Sequence, residues 1–181
     1  MLGKLREKAG KYYLKKHMLQ VQRQRQIQNI HTATSAGIVC TFDENTVTLN
    51  IIMQFRRYLL DHNIQTDVIG YFDKKRIPSI YLHTEGLRVF SRHDLSWCFL
   101  PDRKFVKDFI NCQYDLLIDL SDNYPLPVAY ILVLSKAKFK VGPFIPDTNS
   151  YDFMIDAKDK NLTFYIEQIK HFLLNINKMT I

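Results

Sequence analysis

Apolar and polar positions divide the chain into short segments, and the most informative of them is residues 114–142. Leu116, Leu117 and Ile118 form an apolar run bounded by Asp115 and Asp119, as a central strand covered on both faces requires. Ser121, Asp122 and Asn123 then offer capping oxygens for a helix, and Pro127 suits a first turn, where a missing N–H costs nothing. Residues 128–134 are apolar throughout, so this helix is expected to be covered on more than one side. Lys138, Phe139, Lys140 and Val141 alternate as an edge-leaning strand would, and Gly142-Pro143 ends it. Strand, buried helix and strand make the basic unit of a parallel α/β sheet.

The same reading extends along the chain. Residues 36–42 predict a first strand, and Asp43, Glu44 and Asn45 supply capping oxygens for a helix over 46–61. Val47, Leu49, Ile51, Ile52, Phe55, Leu59 and Leu60 are available for its core side, with Arg56 and Arg57 toward water. Residues 66–72 give the second strand, so a parallel crossover is the default. After the charged turn at 73–76, short strands are expected at 79–83 and 87–90, and a helix at 101–111. A strand at 151–157 and a closing amphipathic helix at 162–178 complete the pattern. Residues 2–30 contain no proline and read as one long helix, thinly apolar in its glutamine-rich second half. Thr32 to Ser35 is polar and marks a boundary. The expectation is a three-layer, Rossmann-like α/β domain with a mainly parallel sheet over residues 33–181, preceded by a basic helical arm over 1–32.

Charge sharpens this picture. The chain of 181 residues carries a net charge of +7. Lys4, Arg6, Lys8, Lys11, Lys15, Lys16, Arg23 and Arg25 face a single acid, Glu7, within the first 32 residues, and the remainder is balanced. Such asymmetry points to an anionic partner for the arm, with Lys4, Lys8, Lys11, Lys15, Lys16, Arg23 and Arg25 as its point charges. Three partners fit: RNA or the ribosome, an anionic membrane surface, or only the protein's own domain. The arm lacks the apolar core of a signal peptide, and no apolar run approaches the length of a membrane span. A cytoplasmic protein, peripheral to the inner membrane at most, is expected. Three cysteines at unpatterned spacing argue for a reducing compartment.

Reactive constellations are sparse. The six glycines make neither a GxGxxG nor a GxxxxGK spacing, and the acids after the first strand would repel a pyrophosphate, so no cofactor is expected. His93, Cys98 and Cys112 lack metal-ligand spacing, and Cys40 has no partner that would activate a thiol. Topology favours the carboxyl edge of the sheet, where Thr41, Asp119, Ser121 and Asp122 form a candidate ligand pocket.

Two resemblances accompany these residues. The run YDLLIDL…LSKAKFKVG at 114–142 is similar to the strand–helix–strand unit in the N-terminal lobe of the heptosyltransferase family. That resemblance implies the fold, and a small ligand-binding domain or enzyme derived from such a lobe; the second lobe, which holds most of the nucleotide-sugar, has no counterpart here. Over nearly the whole length, the basic N-terminus, HDLSW, YDLLIDL, SKAKFKVG and FYIEQIKHFLLNINK resemble a family of uncharacterised Bacteroidetes-type bacterial proteins. This second likeness implies lineage and compartment, and no mechanism.

Overall fold

The computed structural model describes residues 2–146, 150–156 and 161–176. Six strands, β1 (Ser35–Phe42), β2 (Gln65–Phe72), β3 (Leu87–Ser91), β4 (Leu116–Asp119), β5 (Phe139–Pro143) and β6 (Phe153–Ile155), make one all-parallel sheet. Their order is β3-β2-β1-β4-β5-β6. The chain starts at the centre, winds to one edge, returns beside β1 and winds to the other. The point of reversal lies between β1 and β4, where Val39 is in register with Asp119.

Helices cover both faces because both faces are apolar. On one side, α2 (Thr46–Asp61) and α6 (Leu162–Asn175) bury Ile52, Phe55, Leu59, Ile166, Ile169 and Leu173 against Ile38, Val68, Ile118 and Val141. On the other, α4 (Lys104–Asn111) and α5 (Leu126–Leu134) bury Val106, Phe109, Val128, Ile131 and Leu132 against Val39, Ile69 and Leu117. The first helix, α1 (Leu2–Met18), packs on the outer side of α5, which explains why α5 is apolar all round.

The structure corrects several expectations. The N-terminal helix does not run to residue 30: it stops at Met18, and residues 19–34 form an extended strap. Val21 packs on the α5 side and Ile30 on the α6 side, so the strap crosses from one face of the sheet to the other. On the way the Gln26 N–H donates to the Lys138 carbonyl (3.2 Å). At its end, Asn29 Oδ1 accepts the N–H groups of His31 (2.7 Å) and Thr32 (2.9 Å), a local turn that competes with helix bonds. Residues 79–83 do not form a strand. Pro78 opens the one-turn helix α3 (Ser79–Leu82), which turns Tyr81 into the core.

Residues 121–123 do not cap α5 either: Pro125 is its N-cap residue, without a side-chain bond, and Pro127 lies in the first turn. Strand β5 is not an edge strand but lies between β4 and β6, with Lys140 buried on the α5 side. Its amine donates to the carbonyls of Leu132 (2.6 Å) and Val133 (3.4 Å), capping the end of α5. Arg56 is half-buried, and its Nε donates to the Thr66 carbonyl (3.1 Å). The expected end of strand 151–157 and of helix 162–178 falls outside the described residues.

Candidate functional site

Two regions carry the residues singled out by sequence: the N-terminal segment and the carboxyl edge of the sheet. In α1, Arg6, Gly10, Leu14 and His17 recur at three- and four-residue steps and form the docked side. Gly10 permits the close approach. A Cβ there would lie 2.2 Å from the Cys98 carbonyl oxygen and 2.6 Å from a Leu126 methyl. Arg6 donates to the Trp97 carbonyl and its guanidinium stands 4.4 Å from the centre of the Phe99 ring. His17 meets the Tyr130 ring of α5 edge-on.

The opposite side of α1 is exposed and mixed. Lys4, Lys8, Lys11, Lys15 and Lys16 all face solvent, and of these Lys11 pairs with Glu7 (2.7 Å). Among them stand Leu2, Leu5 and Tyr12, which are 75, 65 and 66 % exposed, and Leu19 just beyond the helix, 80 % exposed. Sequence reasoning grouped Arg23 and Arg25 with these lysines, but the structure separates them. Arg23 is buried in a forked ion pair with Asp152 (2.7 Å to each oxygen) and also donates to the Ala137 carbonyl (3.2 Å). Arg25 lies on the same carboxylate at 3.7 Å and remains largely exposed.

At the carboxyl edge, Asp119 ends β4 and is fully buried. The Ser121 N–H donates to its Oδ1 (2.9 Å), the Tyr151 hydroxyl to its Oδ2, and the Tyr165 hydroxyl to its backbone carbonyl (3.1 Å). Burial pushes the Asp119 carboxyl up to about 6, against the bonds from Ser121 and Tyr151 that pull it down. The same burial, with Asp119 alongside, keeps the proton on Tyr151. The Ser121 hydroxyl is enclosed near this carboxyl but outside hydrogen-bond geometry. Thr41 Oγ1 accepts the Asp122 N–H (3.2 Å), which ties the ends of β1 and β4 together. Asp122 is exposed, and its carboxyl is raised by partial burial and by Asp43.

The four candidate pocket residues are therefore neighbours, but Asp119 spends its oxygens on the protein itself and links β4 to the loop before β6 and to α6. Its tyrosine partners carried no sequence signal beyond the Tyr-Asp at 151–152. Cys40, the one thiol with a strand-end position, is buried and its Sγ donates to the Ile69 carbonyl (3.5 Å). Burial, then Asp119 and Asp122, raise its pKa well above the usual thiol range, so it is a poor nucleophile. Among the described residues no three His, Cys, Asp or Glu side chains gather as metal ligands, and no helix is long and apolar enough to cross a membrane.

The sequence profile of a family of unknown function (DUF6913) matches residues 6–176. The chain belongs to the DUF6913 family. No curated protein and no solved structure matches it. The DUF6913 match takes in most of α1, the whole strap and the α/β sheet as one unit. It carries no activity, so any function for this DUF6913 protein has to be argued from its own residues.

Proposed function

We propose that this protein is a binding protein that rests on an anionic membrane surface through the outer side of α1. One observation carries the reading: Leu5 and Tyr12 are exposed on the same side of a docked helix as Lys4, Lys8, Lys15 and Lys16, and Leu2 and Leu19 are exposed at its two ends. An RNA or ribosome contact needs the lysines, and it can use a tyrosine for stacking, but it leaves three exposed leucines without a purpose. An interfacial helix needs both kinds of side chain. Its apolar residues enter the acyl boundary, and its lysines meet anionic headgroups at about 1 kcal/mol each. The other side of α1 is committed to α5, so the outer side is what remains to be presented.

Vesicle sedimentation tests this reading. The full chain should pellet with vesicles that contain phosphatidylglycerol and stay in the supernatant with phosphatidylcholine alone or at high salt. Lys8→Gln with Lys15→Gln and Lys16→Gln, and separately Leu5→Ser with Tyr12→Ser, should each weaken pelleting. If the lysine variant loses an RNA partner from lysate while the Leu5/Tyr12 variant behaves as wild type, the partner is RNA and the membrane reading fails.

A further inference from the structure

Where the strap passes the amino end of β5, it closes a cavity of about 340 Å³. Among the described residues six line it: Gln22, Arg23 and Gln24 from the strap, Gln113 before β4, and Lys136 and Lys138 before β5. Three are cations and three are amides, and no carboxylate or apolar side chain is among them. The volume lies at the lower end of the range for small-molecule sites.

The surrounding charges do not balance. Arg23, Arg25, Lys136, Lys138 and the buried Lys140 lie in one neighbourhood, and among the described residues only Asp115 and Asp152 pair with any of them. Asp152 takes Arg23 and Arg25, and Asp115 takes Lys138 (2.8 Å). Among the described residues the half-buried Lys136 forms no ion pair, and the Lys140 amine donates to the Leu132 and Val133 carbonyls. Burial, then the charge of Arg23, brings the Lys140 amine down to about 7, with Asp152 opposing the shift and Arg25 adding to it. Buried charges are normally paired, and among the described residues these five cations share two carboxylates.

We infer that the cavity binds the phosphate group of a small polar molecule. Its cations come from separate segments, the strap and the turn before β5, and outnumber the described carboxylates that pair with them, which suits a multiply charged oxyanion better than one carboxylate. The glutamine amides add N–H donors for phosphate oxygens and carbonyl acceptors for hydroxyl groups on the rest of the ligand. Arg23 serves two roles: one edge of its guanidinium holds Asp152, which fixes the strap, and the group also faces the cavity. The site stands apart from the outer side of α1 and does not depend on membrane binding.

Isothermal titration of the full chain with pyrophosphate, glycerol phosphate and a hexose phosphate, at matched ionic strength, decides the matter, with citrate as the carboxylate control. Saturable one-to-one binding of a phosphate compound is expected, with citrate much weaker. Lys136→Gln should weaken it roughly tenfold, since a charge-assisted bond is lost, while the melting temperature without ligand stays that of wild type. Gln113→Ala should weaken it less. If no phosphate compound saturates at millimolar concentration, if citrate binds as tightly, or if Lys136→Gln binds as wild type does, the inference is wrong.

Discussion

The ring of Tyr151 occupies the space in which a side chain at Gly142 would begin: a Cβ at residue 142 would stand 2.2 Å from Cε1 of Tyr151. The ring is thereby laid against β5, and its hydroxyl reaches Asp119 on β4. A one-atom addition at residue 142 has no flexible chain end to displace, because the obstacle is a buried aromatic ring. Gly142→Ala should cost about 1–3 kcal/mol, the usual cost of overpacking. Urea unfolding should show a lower midpoint with an unchanged slope.

Asp119 makes stability depend on pH. Its pKa is raised from an ordinary carboxylate value to about 6 in the folded protein. A raised pKa means that the folded state holds the proton more tightly, so the contribution is fully present below about 4 and is lost as pH rises through about 6. Asp119→Asn keeps an acceptor for the Ser121 N–H and carries no charge. It should abolish the decline in stability between about pH 4 and 6, and above pH 6 it should be more stable than wild type by up to about 3 kcal/mol. Melting temperatures of the two proteins measured across that window give the answer. Parallel curves would mean that Asp119 is charged in the folded protein at acid pH.

The forked pair of Arg23 with Asp152 fastens the strap. Arg23→Met should leave Asp152 buried beside Arg25 and the Lys140 N–H only, at a cost of about 3 kcal/mol, as for other broken buried pairs. The strap should then open without loss of the sheet. Limited proteolysis should cut within residues 19–28 in the variant and spare wild type. The double change Arg23→Met with Asp152→Leu should restore much of the lost stability, because no lone charge remains buried.

How far the sequence could be read followed from how local each cause was. Strands β1, β2 and β4 with helices α2 and α5 declare themselves through runs and periods that depend on nearby residues alone. The end of α1 does not. Residues 19–30 contain no proline, and Gln and Arg are good helix formers, so nothing local stops the helix. What holds this segment extended is Asp152, the Lys138 carbonyl and the Asn29 turn, two of them more than a hundred residues away. Lys140 was misplaced by the same logic: its alternation with Phe139 and Val141 looks like a solvated face, and only the position of α5 shows what its amine caps. The carboxyl-edge residues were found by topology, whereas Tyr151 and Tyr165 became visible only once β6 and α6 were seated. The cavity beside the strap could not be read at all, since its lining comes from three distant stretches.

The tie between Arg23 and Asp152 also bears on how the chain is made. The partners are 129 residues apart, and the surface on which α1 docks, the 97–99 loop and α5, is complete only when α5 is made. At about 5–20 residues per second of synthesis, Arg23 waits on the order of ten seconds for its carboxylate. During that interval the N-terminal segment is a basic, partly apolar peptide with nothing to hold it, while β1, α2 and β2 can already pair. The residues of α1 and the strap are therefore made before, yet placed after, much of the sheet, and a stall in translation before residue 152 would leave them exposed to whatever else in the cell binds such a peptide.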